Sequence, residues 1–153
     1  DGLQLCDTAQ AVVTDNRISG NEKNGLQLRD STQASVVHNQ FSANGGDGVV
    51  VWHSAQATLA NNTITENRNG VLLRRALQGE TAPEPLLKLW GNSVFDNSGW
   101  GVAVYTMACG FAGAPQAFGG TIQGSANRIH DNGRGDLCPE DYPWPEGFTA
   151  GSG

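Results

Sequence analysis

Residues 39–51 of the chain read Asn-Gln-Phe-Ser-Ala-Asn-Gly-Gly-Asp-Gly-Val-Val-Val, and this stretch joins two short phrases that recur along the sequence. The first phrase is Asn-x-apolar-x-x-Asn, which begins at Asn16, Asn39, Asn62, Asn92 and Asn127. The second is Gly followed by apolar residues at alternate positions, which begins at Gly2, Gly25, Gly48, Gly70 and Gly101. Repetition with a period of about 20–50 residues is typical of solenoid proteins.

Each repeat contains three short segments of alternating apolar character, which in the second repeat are residues 25–28, 34–36 and 39–44. Such alternation predicts β-strands. Three strands of this length cannot bury a face alone, but stacked repeats can, at a spacing of about 4.8 Å per coil. The sequence therefore predicts an all-β fold over residues 1–138, a parallel β-helix of about five to six coils with three strands each.

The first Asn of each phrase stands where the second strand of a coil is expected to turn into the third. These residues are Asn16, Asn39, Asn62, Asn92 and Asn127. Asn tolerates the left-handed backbone that a one-residue corner needs. We therefore expect these five residues to occupy the corners and to stack their amides into a ladder along the helix.

The repeat resembles that of the pectate-lyase-type right-handed β-helix superfamily, and the resemblance covers residues 1–138. It implies a right-handed solenoid. It leaves the activity open, since the superfamily includes lyases, hydrolases, epimerases, phage tailspikes and non-catalytic surface proteins. Because Asp1 opens inside a strand motif, we expect the chain to be a fragment of a longer helix whose N-terminal coils are missing.

Composition and charge disfavour several classes of function. The net charge is -6, and the sequence has no cluster of Lys and Arg residues of the kind that binds nucleic acid. The apolar run Gly48–Trp52 is far shorter than the roughly 20 residues of a membrane span. No CxxC pair is present, and His38, His53 and His130 fall on three different segments of the coil, so we expect no zinc or histidine metal site.

Strand alternation places a column of cationic and aromatic side chains on the outer face of the first sheet: Arg29, Trp52, Arg74 and Tyr105. Sugars stack on aromatic rings, and guanidinium groups pair with uronate carboxylates. In the superfamily that the repeat resembles, this sheet commonly forms the floor of the cleft that binds the saccharide. The column therefore predicts contact with an extended, acidic polysaccharide. A solvated strand face on which Arg stems pack over Trp52 is the alternative.

The neighbouring column contains Asp7, Asp30, His53 and Arg75. A polysaccharide lyase or epimerase needs a base and a group that neutralises the substrate carboxylate. His53, Arg74 and Arg75 offer such groups, with Asp30 in support. No hydrolase motif accompanies them, so we favour a non-catalytic role for this fragment. Asp7 and Asp30 also offer carboxylates to a Ca²⁺ ion, although solvated side chains are the ordinary interpretation.

Two insertions follow the first strand of coils four and five, at residues 77–85 and 107–120. We expect both loops to project from one edge and to border the Arg/aromatic column. Cys109 in the second loop and Cys138 at the start of the sixth coil predict a disulfide, which favours an oxidising compartment. Cys6 either pairs with a residue upstream or remains a free thiol.

Residues 139–153 break the repeat, and Pro139, Pro143 and Pro145 cannot donate to a β ladder. This segment is expected to cap the last coil or to serve as a protein-binding tail, and the insertion loops are a second possible protein contact. The sequence favours an extracellular, periplasmic or cell-surface module that contacts a polysaccharide. A lyase or epimerase is one alternative. A structural spacer or accessory subunit of a larger assembly is the other.

Overall fold

The computed structural model describes residues 1–74, 84–114, 120–146 and Phe148. Within these ranges Met107–Cys109 form a 3₁₀ helix, and the other regular elements are sixteen short strands. In chain order they are β1 (Leu3–Leu5), β2 (Gln10–Thr14), β3 (Arg17–Ser19), β4 (Leu26–Leu28), β5 (Gln33–Val37), β6 (Gln40–Ser42), β7 (Val49–Trp52), β8 (Gln56–Ala60), β9 (Thr63–Thr65), β10 (Val71–Arg74), β11 (Leu86–Trp90), β12 (Ser93–Phe95), β13 (Trp100–Val104), β14 (Thr121–Ser125), β15 (Arg128–His130) and β16 (Gly135–Cys138).

Every third strand joins the same parallel sheet, so the chain winds as a β-helix. Sheet A has the order β1-β4-β7-β10-β13-β16, sheet B β14-β11-β8-β5-β2, and sheet C β15-β12-β9-β6-β3. The register pairs like residues, such as Leu26 with Val49 and Phe41 with Ile64. The predicted fold of three short strands per coil is confirmed, because only this winding stacks the repeated phrases on one another.

The core lies between the three sheets and is built from the inward residue of each alternation. In sheet A, Val49, Val51 and Val71 are fully buried, and Phe41 and Ile64 of sheet C face them. Burying a side chain of this size contributes about 1.5–3 kcal/mol relative to exposure. Each coil is therefore stabilised mainly by its neighbours above and below.

The predicted Asn residues form a continuous ladder between sheets B and C. The Nδ2 of Asn39 donates to Oδ1 of Asn62 at 3.1 Å, and the Nδ2 of Asn62 donates to Oδ1 of Asn92 at 3.0 Å. Asn16 and Asn127 extend the ladder at its two ends. Each amide thus satisfies polar groups of the next coil inside the fold.

The expectation that these Asn residues adopt the left-handed corner conformation is wrong. The residue before each of them does so: Asp15, His38, Asn61, Gly91 and Ala126 have φ between 56° and 66°. The physical reason is geometric, since the left-handed residue turns the chain and aims the following Asn side chain inward, where it can reach the next amide. The corner itself faces solvent and accepts several residue types.

A second ladder, formed by the last Asn of each phrase, lies between sheets C and A. It links Asn21, Asn44, Asn67, Asn97 and Asn132 through side-chain hydrogen bonds of 2.9–3.2 Å. The Nδ2 of Asn132 then donates to the carboxylate of Asp136 at 3.0 Å. Two of the three corners of the coil are therefore held by stacked amides.

Residues 139–146 and Phe148, which follow β16, fold against the end of the helix. Tyr142, Trp144 and Phe148 pack on the core, and Phe148 is 3% exposed. The Nε1 of Trp144 donates to the carbonyl of Pro139, and the Tyr142 hydroxyl donates to the carbonyl of Gly120, both at 2.8 Å. In the described part of the chain, no helix is long and apolar enough to cross a membrane.

Candidate functional site

The Arg/aromatic column lies at the ends of successive strands of sheet A. Arg74 pairs in register with Trp52 of the preceding coil. The guanidinium carbon of Arg74 lies 4.0 Å from the ring centroid of Trp52 and 3.9 Å from that of Tyr105. The cation is therefore held between two aromatic faces, a geometry in which cation–π attraction fixes the plane of the guanidinium.

Arg74 carries a charge that is only partly compensated. Burial lowers the pKa of its guanidinium, while Tyr105 and Asp47 act in the opposite direction. Its Nε is buried without a hydrogen-bond partner, and among the described residues no carboxylate forms an ion pair with it. An arginine remains protonated in proteins, so this site favours an anionic ligand.

Arg29, Asp30 and His53 form a small charged group beside the column. The Nδ1 of His53 lies 3.0 Å from Oδ1 of Asp30, and the Nε of Arg29 lies 3.4 Å from Oδ2. The backbone N–H of Asp7 donates to the Asp30 carboxylate and is the main cause that holds its pKa below the usual range, with Arg29 and His53 adding to the effect. The backbone N–H of Asp30 also points at this Nδ1, at 3.2 Å, and donates to it when Nδ1 is unprotonated. His53 offers Nε2 as a base only in the other tautomer, whose Nδ1 proton is donated to the Asp30 carboxylate.

Asp7 and Asp30 stack as expected, and Cys6 joins them. One side-chain ligand atom from each of the three residues lies within 4.8 Å of the others. Cys6 is an exposed free thiol, and its Sγ faces the Asp7 carboxylate at 3.9 Å. Ca²⁺ takes about six to eight oxygen ligands, so two carboxylates and a thiol offer it a sparse set.

Residues 107–114 of the second insertion do not merely border the column, as the sequence predicted, but pack across the outer face of sheet A. The ring of Phe111 packs on Tyr105 at 4.9 Å, and the indole N–H of Trp100 donates to the carbonyl of Cys109 at 3.0 Å. Val50 and Leu72 point outward from the sheet, yet they are only 3% and 2% exposed. These outward apolar side chains explain the cover, since they form a second apolar cluster with the loop.

A disulfide joins Cys109 to Cys138, with their Cα atoms 5.8 Å apart. It ties the covering loop to β16, the last strand of sheet A. The first insertion and the candidate residue Arg75 cannot be placed in the site, because residues 75–83 lie outside the described ranges.

Sequence reasoning missed three residues at the edge of the site, one in the covering loop and two in the turns next to it. Phe111 lies beside Arg68 and Arg134, which come from the turns between sheets C and A. Trp100 supports Arg134, whose guanidinium lies 5.0 Å from its ring centroid. Arg68 is the first residue after Asn67 and Arg134 is the second after Asn132, so both lie in the turn after the last Asn of the phrase, a signal that was visible in the repeat.

Comparison with known proteins agrees with this architecture. The family described as the right-handed β-helix region matches residues 1–77, and no curated protein matches the sequence. The solved structure of the periplasmic alginate epimerase AlgG superposes with a TM-score of 0.74 at 18% identity. The match covers 94% of this chain but 34% of that protein, so the chain spans about a third of its length. The chain belongs to the right-handed β-helix family.

Proposed function

We propose that the chain is a non-catalytic module that contacts an extended acidic polysaccharide at the outer face of sheet A, through Arg29, Trp52, Arg74 and Tyr105. One observation carries the proposal: the Arg74 guanidinium is held between Trp52 and Tyr105 and has no ion-pair partner among the described residues. A fixed guanidinium can pair with a carboxylate in a bidentate manner at little entropic cost.

The covering loop limits where a glycan would lie. Since Val50 and Leu72 are covered, the chain of sugars would pass along the ends of the strands, where Arg29 is 42% exposed and Trp52 and Arg74 are half-buried. The AlgG structure is that of a protein named for alginate, a polyuronate, which makes alginate a reasonable first ligand.

Replacing Arg74 with Gln is expected to weaken the binding of an alginate oligosaccharide about tenfold, or roughly 1.4 kcal/mol. The reason is that the substitution removes the charge while keeping a side chain between the two rings. Isothermal titration calorimetry on the chain measures the change, and Arg17→Gln, which makes the same change on the exposed face of sheet C, is the control.

Equal affinities for Arg74→Gln, Arg17→Gln and the unaltered chain would contradict this placement of the ligand. Failure of the unaltered chain to bind any polyuronate would favour the structural alternative, a spacer or an accessory subunit of a larger assembly. Co-purification from the source organism would then identify the partner.

The His53–Asp30 pair favours a second candidate, a lyase or epimerase. Both reactions on a uronate begin with removal of the proton on the carbon that bears the carboxylate. His53 would take this proton at Nε2 while Asp30 holds Nδ1, and Arg74 would neutralise the carboxylate. Arg75, a further candidate, lies outside the described residues.

If the chain is catalytic, His53→Gln is expected to lower turnover at least a hundredfold, as loss of a general base commonly does. Ultraviolet absorbance of the unsaturated product detects a lyase, and deuterium uptake from solvent detects an epimerase. His38→Gln is the matched control, because His38 and His53 share a left-handed backbone, at φ of 58° and 59°. Turnover that His53→Gln leaves unchanged would remove this assignment.

The disulfide supports a location outside the reducing cytoplasm. Disulfides persist in the periplasm, at the cell surface and in the extracellular space. The link between Cys109 and Cys138 is built into the site, since it fixes the loop that covers sheet A. An exported module is therefore the form of the protein that we propose.

A further inference from the structure

Two arginines lie in the turns that join sheet C to sheet A. The backbone N–H of Gly99 bonds to the carbonyl of Arg68, and the N–H of Arg134 bonds to the carbonyl of Gly99 at 2.9 Å. Arg68 and Arg134 are thus two coils apart, with a glycine between them. Gly99 leaves no room for a side chain, because the Asn69 side chain and the carbonyl oxygen of Arg68 occupy the place that its Cβ would take.

A cavity of about 350 Å³ lies beside these turns and is lined by Arg68, Asn69, Ser98, Gly99, Phe111 and Arg134. Phe111 belongs to the covering loop and forms the wall on the side of sheet A. Its ring also packs on Tyr105 at 4.9 Å, so the cavity adjoins the Arg/aromatic column. A volume of this size falls in the lower part of the range of roughly 300–1,000 Å³ for small-ligand sites.

The charge in the cavity is balanced only in part by its surroundings. The Nε of Arg68 forms an ion pair with Asp47 at 3.4 Å, and Asp47 also accepts hydrogen bonds from the backbone and side chain of Asn69. The Arg68 side chain is 60% exposed. Arg134 stacks on Trp100, and no ion pair forms between it and any described carboxylate.

Hydrogen-bond donors are therefore available on both sides of the cavity. Among the described residues, the terminal nitrogens of Arg68 and Arg134 donate no hydrogen bond to the protein. Ser98 also lines the cavity. Planar guanidinium groups favour oxyanions, which accept two parallel hydrogen bonds.

We propose that this pocket binds one oxyanion group, a carboxylate or a sulfate ester, carried by a sugar whose ring packs on Phe111. The proposal rests on the proposed function, the contact with an acidic polysaccharide, and deepens it by adding a second anion site. Arg74 would hold one acidic group of the glycan, and Arg68 with Arg134 would hold another on the far side of the covering loop.

The test measures binding of oligogalacturonate, dextran sulfate and neutral dextran to the chain by calorimetry. Arg134→Gln and Arg68→Gln are each expected to weaken binding of at least one anionic polymer about tenfold, while dextran does not bind. The polymer that responds identifies the group as carboxylate or sulfate. Arg128→Gln, at an exposed position on sheet C close to Arg134 in sequence, is the control. Thermal unfolding checks that each variant is folded, and Arg134→Lys replaces Arg134→Gln if that variant is not.

The outcomes separate the two proposals. Binding that Arg68→Gln and Arg134→Gln leave unchanged while Arg74→Gln weakens it would overturn the pocket and keep the contact on sheet A. The reverse pattern would keep the pocket and remove Arg74 from the contact. Absence of binding to both anionic polymers by the unaltered chain would overturn the pocket, and absence of alginate binding as well would overturn the contact on sheet A.

Discussion

Replacing Asn92 with Ala is expected to lower the free energy of unfolding by about 4 kcal/mol, because the change leaves several buried polar groups without partners. Asn92 is fully buried in the first ladder, between Asn62 and Asn127. Its Nδ2 donates to the carbonyl of Leu59 at 2.8 Å, and its Oδ1 accepts from the backbone and side chain of Asn62 at 2.9 and 3.0 Å. Ala replaces none of these hydrogen bonds, and the cavity is too enclosed for solvent to substitute freely.

Asn16→Ala is the matched control, since Asn16 occupies the same position of the repeat at the exposed end of the same ladder. Its Nδ2 donates to Asn39 and to the carbonyl of Thr14, where water can take its place. A loss below about 1 kcal/mol is expected. Urea unfolding followed by circular dichroism measures both variants. Equal losses at the two positions would show that burial of the ladder contributes nothing.

The fold was predictable because the repeat encodes it twice, once in the Asn phrase and once in the Gly phrase. The backbone conformation at the corner between sheets B and C was not predictable, because the residue type that adopts the left-handed conformation differs from coil to coil. Asp15, His38 and Ala126 share a left-handed backbone without sharing a side-chain type. The second Asn ladder was present in the same phrase, and only the equal spacing of Asn44 and Asn67 from the first ladder residues indicated it.

The candidate site was predictable in part. Register alone places Arg74 between Trp52 and Tyr105, since strand alternation sends all three to one face. The covering loop was not predictable, because an insertion has no repeat to align it. Its position depends on contacts between distant residues, among them the packing of Phe111 on Tyr105 and the disulfide to Cys138. The only indication in the sequence was that Val50 and Leu72 are apolar although strand alternation points them outward from sheet A.

Gly48→Ala is expected to lower the free energy of unfolding by about 3 kcal/mol, through overpacking between two coils. A Cβ atom on Gly48 would lie 2.6 Å from the Cγ2 of Ile64, 2.7 Å from the carbonyl oxygen of Gly70 and 2.9 Å from the Nδ2 of Asn67. The Gly70 carbonyl accepts the hydrogen bond from Val49, so it cannot move without breaking the ladder of sheet A. The glycine of the repeat is thus explained by close approach of neighbouring coils.

Gly20→Ala separates this effect from the general cost of replacing glycine. Gly20 has a left-handed backbone, at φ of 72°, and a Cβ there meets no atom within 4 Å. Its replacement should cost only the conformational strain, about 1–2 kcal/mol. Chemical unfolding of both variants gives the comparison. A smaller loss for Gly48→Ala than for Gly20→Ala would mean that the coils can separate slightly at the corner, and that the recurring glycine has another cause.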